Sequence, residues 1–356
     1  MKTAIFATIA GSTLVAAAPA QYSPRASKVQ YAGVNIAGFD FGCTIDGSCA
    51  LTGTNRPFNV VSSGTALEQM NHFVKNDKLN AFRLPVGWQF LLNNQLGGTL
   101  DPGNFAQYDS LVQGCLNSGA SLCILDIHNY ARWNGAIVGQ GGPTNAQLAD
   151  VWKQLALKYG SHSNIAFGVM NEPHDIPDIN IWGATVQAVV TAIRDTDAKN
   201  NIILLPGQGF TSAETFVSSG SAAALANVKN PDGSTNNLIM DVHKYLDSDN
   251  SGTHTECVKN SIDNAFKPLA TWLKQNNRKA MLTETGGGNT ASCQKYLCEE
   301  LQFLNANSDV YLGYTTWSAG GFDSSYELTE TPTQVGGSWV DTALVKSCVV
   351  GAWKNA

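Results

Sequence analysis

Short apolar runs recur along the chain at Val34–Ile36, Ala81–Val86, Leu122–Ile127, Ile165–Met170, Ile202–Leu205, Leu238–Val242, Ala280–Thr283 and Val310–Thr315. Continuous apolar runs of this length, without a polar residue at every second place, predict strands buried on both faces. Between most of them lie segments with apolar positions at helical spacing, for example Asn145–Tyr159 and Trp182–Arg194. Successive strands start roughly 30 to 50 residues apart, which suits one strand and one helix per unit. Eight such units predict an α/β fold, a closed (β/α)8 TIM barrel forming a single domain over residues 30–356. A doubly wound open sheet would carry a glycine-rich phosphate turn near its first strand. The Gly33–Gly38 region has no G-x-G-x-x-G, and Gly286-Gly287-Gly288 follows a late strand, so the barrel is favoured.

Ahead of the first strand, Lys2 precedes an apolar, small-residue run from Ala4 to Ala18 that ends in Ala18-Pro19-Ala20. That is the pattern of a secretory signal peptide, expected over residues 1–20, with residues 21–29 as a short lead-in. The run falls short of the roughly 20 residues that cross a bilayer, and no later segment reaches that length without charges or prolines, so no membrane association is expected. The implied location is extracellular. Net charge is −6, and the 22 lysines and arginines form no basic cluster, which argues against nucleic acid as a partner.

The eight cysteines, Cys43, Cys49, Cys115, Cys123, Cys257, Cys293, Cys298 and Cys348, are an even set in an exported chain and predict disulfides rather than metal ligation. Cys43/Cys49 and Cys115/Cys123 are close enough in sequence to close small loops; spacing leaves the other pairings open. No Ser/Thr/Pro-rich linker marks an appended module or second domain, and no N-x-S/T sequon is present, so N-glycosylation is not expected. A monomer is expected.

Chemistry gathers at one end of the predicted strands. In a TIM barrel the C-terminal strand ends and the loops after them build the active site. The second strand ends in Phe82-Arg83-Leu84-Pro85, the third in Asp126-Ile127-His128-Asn129-Tyr130 and the fourth in Met170-Asn171-Glu172-Pro173-His174. The sixth ends in Asp241-Val242-His243-Lys244-Tyr245, the seventh in Leu282-Thr283-Glu284-Thr285-Gly286 and the eighth in Thr316-Trp317-Ser318. Only 14% of residues are charged, so ionisable groups at strand end after strand end are a pattern. Glu172 and Glu284 would face each other across the barrel mouth. Glycoside hydrolysis needs such a pair, one carboxylic acid to protonate the leaving oxygen and one carboxylate at the anomeric carbon. Asn171 suits a bond to a sugar 2-hydroxyl, Arg83 and Tyr245 suit holding the nucleophile, and Trp317 offers an apolar face to a sugar ring.

Nearly the whole chain after residue 20 resembles glycoside hydrolase family 5, and within it the secreted fungal endo-β-1,4-glucanases. The resemblance is carried by Gly-Val-Asn-Ile-Ala-Gly-Phe-Asp-Phe-Gly at 33–42, Phe-Arg-Leu-Pro at 82–85, Asn-Glu-Pro at 171–173, Leu-Asp-Ser-Asp-Asn-Ser-Gly-Thr-His at 246–254 and Thr-Glu-Thr-Gly at 283–286. It implies a retaining enzyme that needs no cofactor and no metal and cleaves β-glucan internally. Glu172 would be the general acid/base and Glu284 the nucleophile. His243 and Tyr245 would flank the nucleophile, Arg83, His128 and Asn171 would complete the site, and Trp317 would line the subsite on the non-reducing side. It also implies disulfides Cys43–Cys49, Cys115–Cys123, Cys257–Cys293 and Cys298–Cys348. The chain departs from many relatives in lacking a cellulose-binding module and its linker, and in placing Phe210 where several carry a tryptophan platform.

Plainer readings compete. An isolated glutamate at a strand end is usually a structural partner of arginine, but here both stand inside matching motifs. His128 and His243 could be core histidines; a metal role is disfavoured because the first strand carries Val34-Asn35-Ile36 and no His-x-His. Arg83 could pair with a buried acid in the barrel floor. Trp88, Trp182, Trp272 and Trp353 are expected to be packing residues, with Trp133 and Tyr130 evenly placed between core and cleft. The rivals in function are a β-1,4-mannanase or a glucanase preferring mixed-linkage glucan or xyloglucan, and, from another class, a non-catalytic carbohydrate-binding barrel.

Overall fold

The structure is a computed structural model that describes Met1, residues 28–52 and residues 65–356. Apart from Met1, the expected signal peptide lies outside the described residues.

Eight parallel strands close a barrel: β1 (Tyr31–Ala37), β2 (Ala81–Val86), β3 (Leu122–Ile127), β4 (Ile165–Gly168), β5 (Ile202–Pro206), β6 (Leu238–His243), β7 (Ala280–Glu284) and β8 (Tyr311–Gly320). Each pairs with its sequence neighbours, and β1 pairs with β8 to complete the ring. The expected α/β barrel is therefore the observed one. Several expected boundaries move: β1 starts at Tyr31 rather than Val34, and β8 runs on to Gly320 rather than ending at Thr315. β4 stops at Gly168 rather than Met170, because the chain leaves the ladder there and turns Asn171 N onto the Ile127 carbonyl at 2.8 Å. The helix expected from Trp182 begins at Ile179, where the Asp178 side chain accepts from Asn180 N and caps it. The helix Asn145–Tyr159 lies where its periodicity places it, opened by a reciprocal capping box between Thr144 and Gln147.

Strand alternation explains how one barrel holds both a core and a site. Side chains two apart on a strand share a face, and the inward face of β3 and the loop after it reads Leu122, Ile124, Asp126, His128. Leu122 and Ile124 join Tyr31, Ala81, Ala166, Leu204, Ile239, Met281 and Leu312 in an apolar plug at the barrel floor. Asp126 and His128, two and four residues further on, sit above it, level with Arg83 and Asp241, all buried. The larger apolar core fills the shell between strands and helices, with Trp88, Trp152 and Trp182 fully buried in it. The four disulfides pair Cys43–Cys49, Cys115–Cys123, Cys257–Cys293 and Cys298–Cys348, as the resemblance implies.

Candidate active site

Arg83 organises the polar layer. It is wholly buried at the middle of β2, and its guanidinium fork spans four strand ends. Nη1 donates to Glu284 Oε1 at 2.5 Å and to Asn35 Oδ1 at 3.0 Å; Nη2 donates to Asn171 Oδ1 at 2.8 Å and meets Asp126 Oδ1 at 3.0 Å. A planar fork can hold four acceptors in one plane where a point charge could not. Asn35 is itself fixed from the far side, its Nδ2 donating to the carbonyls of Thr283 and Thr316 at 2.9 and 3.0 Å.

The two glutamates receive different surroundings. Glu284, at the end of β7, is buried and accepts from Arg83 on Oε1 and from the Tyr245 hydroxyl on Oε2 at 2.8 Å. Burial alone would raise its pKa, but His243, Arg83 and His128, with the Tyr245 bond, outweigh burial and hold it at about 2. Glu284 is thus a carboxylate at any ordinary pH. Glu172 is more open, its side chain 16% exposed, and its Oε1 accepts from His243 Nδ1 at 2.8 Å. His243 also stands 3.6 Å from Glu284 Oε2, so it bridges the two acids, with its hydrogen bond on Glu172. Burial draws the His243 imidazole down; Glu284 and Glu172 draw it up by more, so the net direction is upward and favours the imidazolium. One ligand-type atom each from Glu172, His243 and Glu284 lie within 4.8 Å of one another. Such a trio could hold a cation, as could His72/Asp77/Asp341 and Asp247/Asp249/His254.

Local backbone conformation aims these groups. Glu172 has φ +41°, and Tyr130, Ala131, Phe210 and Thr211 also lie in the left-handed region. Non-glycine residues pay for that conformation and gather where a side chain must be turned into a site. Asn171 is 1% exposed; Arg83 holds its oxygen, and its Nδ2 has no hydrogen-bond partner within the protein. His128 donates to Asp126 Oδ2 at 2.9 Å and lies under Trp317, ring centroids 5.6 Å apart and 18° from parallel. Trp317 is fixed at its other edge by Nε1 donating to the Tyr326 hydroxyl at 3.0 Å.

The expected residues Arg83, His128, Asn171, Glu172, His243, Tyr245, Glu284 and Trp317 therefore come together at one mouth of the barrel. Of the three cleft candidates, Tyr130 stands edge-on to both His128 and His174 beside the glutamates. Phe210 is 39% exposed and stacks on His174 at 4.4 Å, a rim position. Trp133 is 8% exposed and packs edge-on against Trp88 in the main core. Sequence reading missed Asn35 and Tyr326. Asn35 lay inside a quoted motif but its role depends on partners more than 240 residues away, and Tyr326 sits in an aperiodic loop with no signal of its own.

Residues 35–320 match the cellulase family described as Cellulase (glycosyl hydrolase family 5). Endoglucanase EG-II of Hypocrea jecorina is 63% identical over 327 residues, which span 91% of this chain and 78% of that protein. The crystal structure of Cel5A (EG2) from Hypocrea jecorina superposes with a TM-score of 0.88 at 62% identity, covering 90% of this chain and 98% of the other. The structure of XacCel5A in complex with cellopentaose superposes with a TM-score of 0.78 at 32% identity, covering 92% and 99%. Sequence, barrel and site agree: the chain belongs to the cellulases of glycosyl hydrolase family 5.

Proposed function

We propose that the chain is a secreted, retaining endo-β-1,4-glucanase that hydrolyses internal bonds of cellulose and related β-glucans. The observation that carries the mechanism is the close approach of the two acids. Oxygens of Glu172 and Glu284 within 4.8 Å of each other suit the roughly 5 to 5.5 Å carboxyl separation of retaining enzymes; inverting enzymes need about 6.5 to 9.5 Å to fit a water between.

Glu284, kept ionised by Arg83, His243 and Tyr245, attacks the anomeric carbon from one face. The C–O bond to the leaving sugar breaks as Glu172 gives its proton to the departing oxygen, so the bond's electron pair leaves with that oxygen and a glycosyl ester forms on Glu284. Ester formation neutralises Glu284 as Glu172 gives up its proton, so the negative charge moves from one acid to the other. Glu172 then takes a proton from water, whose oxygen attacks the anomeric carbon and frees Glu284. His243 reaches both acids and balances the charge as it passes between them. Asn171, with its oxygen clamped by Arg83, presents Nδ2 to the sugar 2-hydroxyl, an interaction that strengthens in the transition state. Trp317 supplies a sugar-stacking face whose angle is set by His128 and Tyr326.

A β-1,4-glucan as substrate is supported by the endoglucanase relative at 63% identity and by the cellopentaose bound to the similar XacCel5A. Export is supported by the four disulfides, which persist in oxidising surroundings, and by the leader-like N-terminus. Among the described residues no helix is long and apolar enough to cross a membrane.

The test is parallel digestion of carboxymethyl-cellulose, barley mixed-linkage glucan, xyloglucan and galactomannan, following viscosity and reducing ends together. A fast viscosity loss with few new ends on the β-1,4-glucans and none on mannan is expected. Strong action on mannan alone would overturn the substrate, and silence on every polymer would overturn the enzyme.

A further inference from the structure

The segment Leu246–His254 follows the Lys244-Tyr245 corner and ties itself into a compact loop. Asp247 is 4% exposed, and its Oδ2 accepts from Ser251 Oγ at 3.1 Å and Thr253 N at 3.2 Å and meets His254 Nδ1 at 3.1 Å. At the loop's apex Asn250 Oδ1 accepts from Tyr245 N at 3.0 Å and from Lys244 Nζ at 2.8 Å, and Lys244 Nζ in turn meets Glu214 at 2.9 Å. The loop is thereby pinned to the residue that touches the nucleophile.

Gly252 is where the loop meets that residue's ring. It is buried with φ +68°, and a Cβ there would lie 2.6 Å from Tyr245 Cε1 and 2.7 Å from Cδ1 and Cζ. Only the absence of a side chain at Gly252 therefore leaves room for the phenol, close to the carbon that bears the hydroxyl. The ring belongs to a small buried apolar cluster with Trp317, Leu328 and Ala37. Restoring an ordinary separation of about 3.4 Å would push the ring by nearly 1 Å, enough to break the 2.8 Å bond from its hydroxyl to Glu284 Oε2.

We propose that Gly252 is a positioning residue for the nucleophile: the 246–254 loop presses its bare backbone onto the Tyr245 ring and so holds the phenol hydroxyl on Glu284. This rests on the assignment of Glu284 as nucleophile.

Gly252→Ala tests it, with Gly233→Ala as control. Gly233 has φ +82° and nothing within 4 Å of its would-be Cβ, so the control carries the same left-handed penalty with no ring to displace. On a soluble cello-oligosaccharide Gly252→Ala is expected to lose about tenfold or more in kcat with KM within about twofold, and the acidic limb of its pH profile is expected to move to higher pH, as befits a missing hydrogen bond to an ionised group. Gly233→Ala should match the parent in both readings. Introduced into Tyr245→Phe, Gly252→Ala should cost less than about twofold, because the bond it disrupts is already gone. Asn250→Ala provides a second arm should Gly252→Ala not fold: it releases Tyr245 N and should move the acidic limb the same way. Gly252→Ala with the parent's kcat and acidic limb, or with the same loss in the Tyr245→Phe background as alone, would overturn the proposal. A dead Glu284→Ala beside an unaltered Gly252→Ala would overturn this proposal alone, whereas an active Glu284→Ala would remove the nucleophile assignment beneath it.

Discussion

Replacing Arg83 by lysine keeps a positive charge in the barrel yet cannot keep the geometry. The guanidinium reaches Glu284 at 2.5 Å, Asp126 at 3.0 Å, Asn171 at 2.8 Å and Asn35 at 3.0 Å from two separate nitrogens. A single ammonium cannot stand at both positions. Hydrogen bonds to charged groups contribute about 1.5–3 kcal/mol each, and Arg83→Lys loses at least one to a carboxylate together with the clamp on Asn171; the expected fall in kcat/KM is about 10²–10³-fold, or roughly 3–4 kcal/mol. Arg83→Ala goes further and leaves Glu284 and Asp126 buried without their cation, at a cost of about 3–5 kcal/mol in stability and roughly 4–7 °C in melting temperature.

The pH dependence of that second variant carries a sign. Glu284 is depressed to about 2 in the folded chain, so its contribution to stability is present above the ordinary carboxylate range and is lost as pH falls from there through about 2. Arg83 supplies part of that depression, so the melting-temperature gap between parent and Arg83→Ala should be widest above about pH 4.5 and narrow towards pH 2. Steady-state kinetics on cellotetraose and thermal unfolding from pH 2 to pH 7 measure both. Arg83→Lys within threefold of the parent, or Arg83→Ala unfolding at the parent's temperature at pH 7, would refute the reasoning.

Other consequences are as direct. Glu172→Ala should lose turnover on β-glucan by about 10²–10⁴-fold but recover much of its first-step rate on a dinitrophenyl β-cellobioside, whose leaving group needs no proton; equal losses on both would argue against a general acid at this position. Glu330 is buried, accepts from Thr316 Oγ1 at 2.6 Å, and is pushed by burial up to about 8. A raised carboxyl favours the folded state below its unfolded pKa and loses that advantage as pH rises through about 8, so Glu330→Gln should gain melting temperature relative to the parent at pH 9 and not at pH 4; a gap independent of pH would contradict this. The Cys257–Cys293 bridge closes 36 residues and packs its sulfurs where a Cβ on Gly287, three residues after Glu284, would fall 2.4 Å away. Removing it with paired serines should cost about 3–4 kcal/mol in denaturant unfolding, and an unchanged midpoint would count against it. Phe210→Ala should raise KM for long oligosaccharides by several-fold with kcat little changed, because a ring at the rim stacks equally well on the sugar in the ground and transition states; a kcat effect with KM unchanged would remove Phe210 from the cleft.

Much of this site was legible because a barrel converts sequence order into place. The apolar runs locate the strands closely enough that Arg83, His128, Asn171, Glu172, His243, Tyr245, Glu284 and Trp317 can be assigned to one mouth from sequence order alone. What was not legible is pairing across the barrel. Asn35 follows an apolar residue in the first strand like many a buried asparagine; only the closed ring brings the carbonyls of Thr283 and Thr316 to its amide and Arg83 to its oxygen. His243 was expected beside the nucleophile, and the structure turns its hydrogen bond to Glu172 while keeping it near Glu284, a choice set by side-chain rotation rather than strand position. Trp133 and Phe210 show the same limit for aromatics: neither spacing nor hydropathy tells a ring packed on Trp88 from one stacked at the rim on His174. The start of the helix at Ile179 was in the sequence after all, in Asp178, whose capping role outweighed the apolar periodicity that begins later.

The most direct test of the two-glutamate mechanism is to trap the intermediate. The enzyme is inactivated with a 2-deoxy-2-fluoro cellobioside bearing an activated leaving group, digested with pepsin, and the labelled peptide sequenced by mass spectrometry. The added mass of one fluorinated disaccharide on Glu284, with none on Glu172, is the predicted result. A label on Glu172 would reverse the roles, and turnover of the natural substrate without any trapped ester would contradict double displacement.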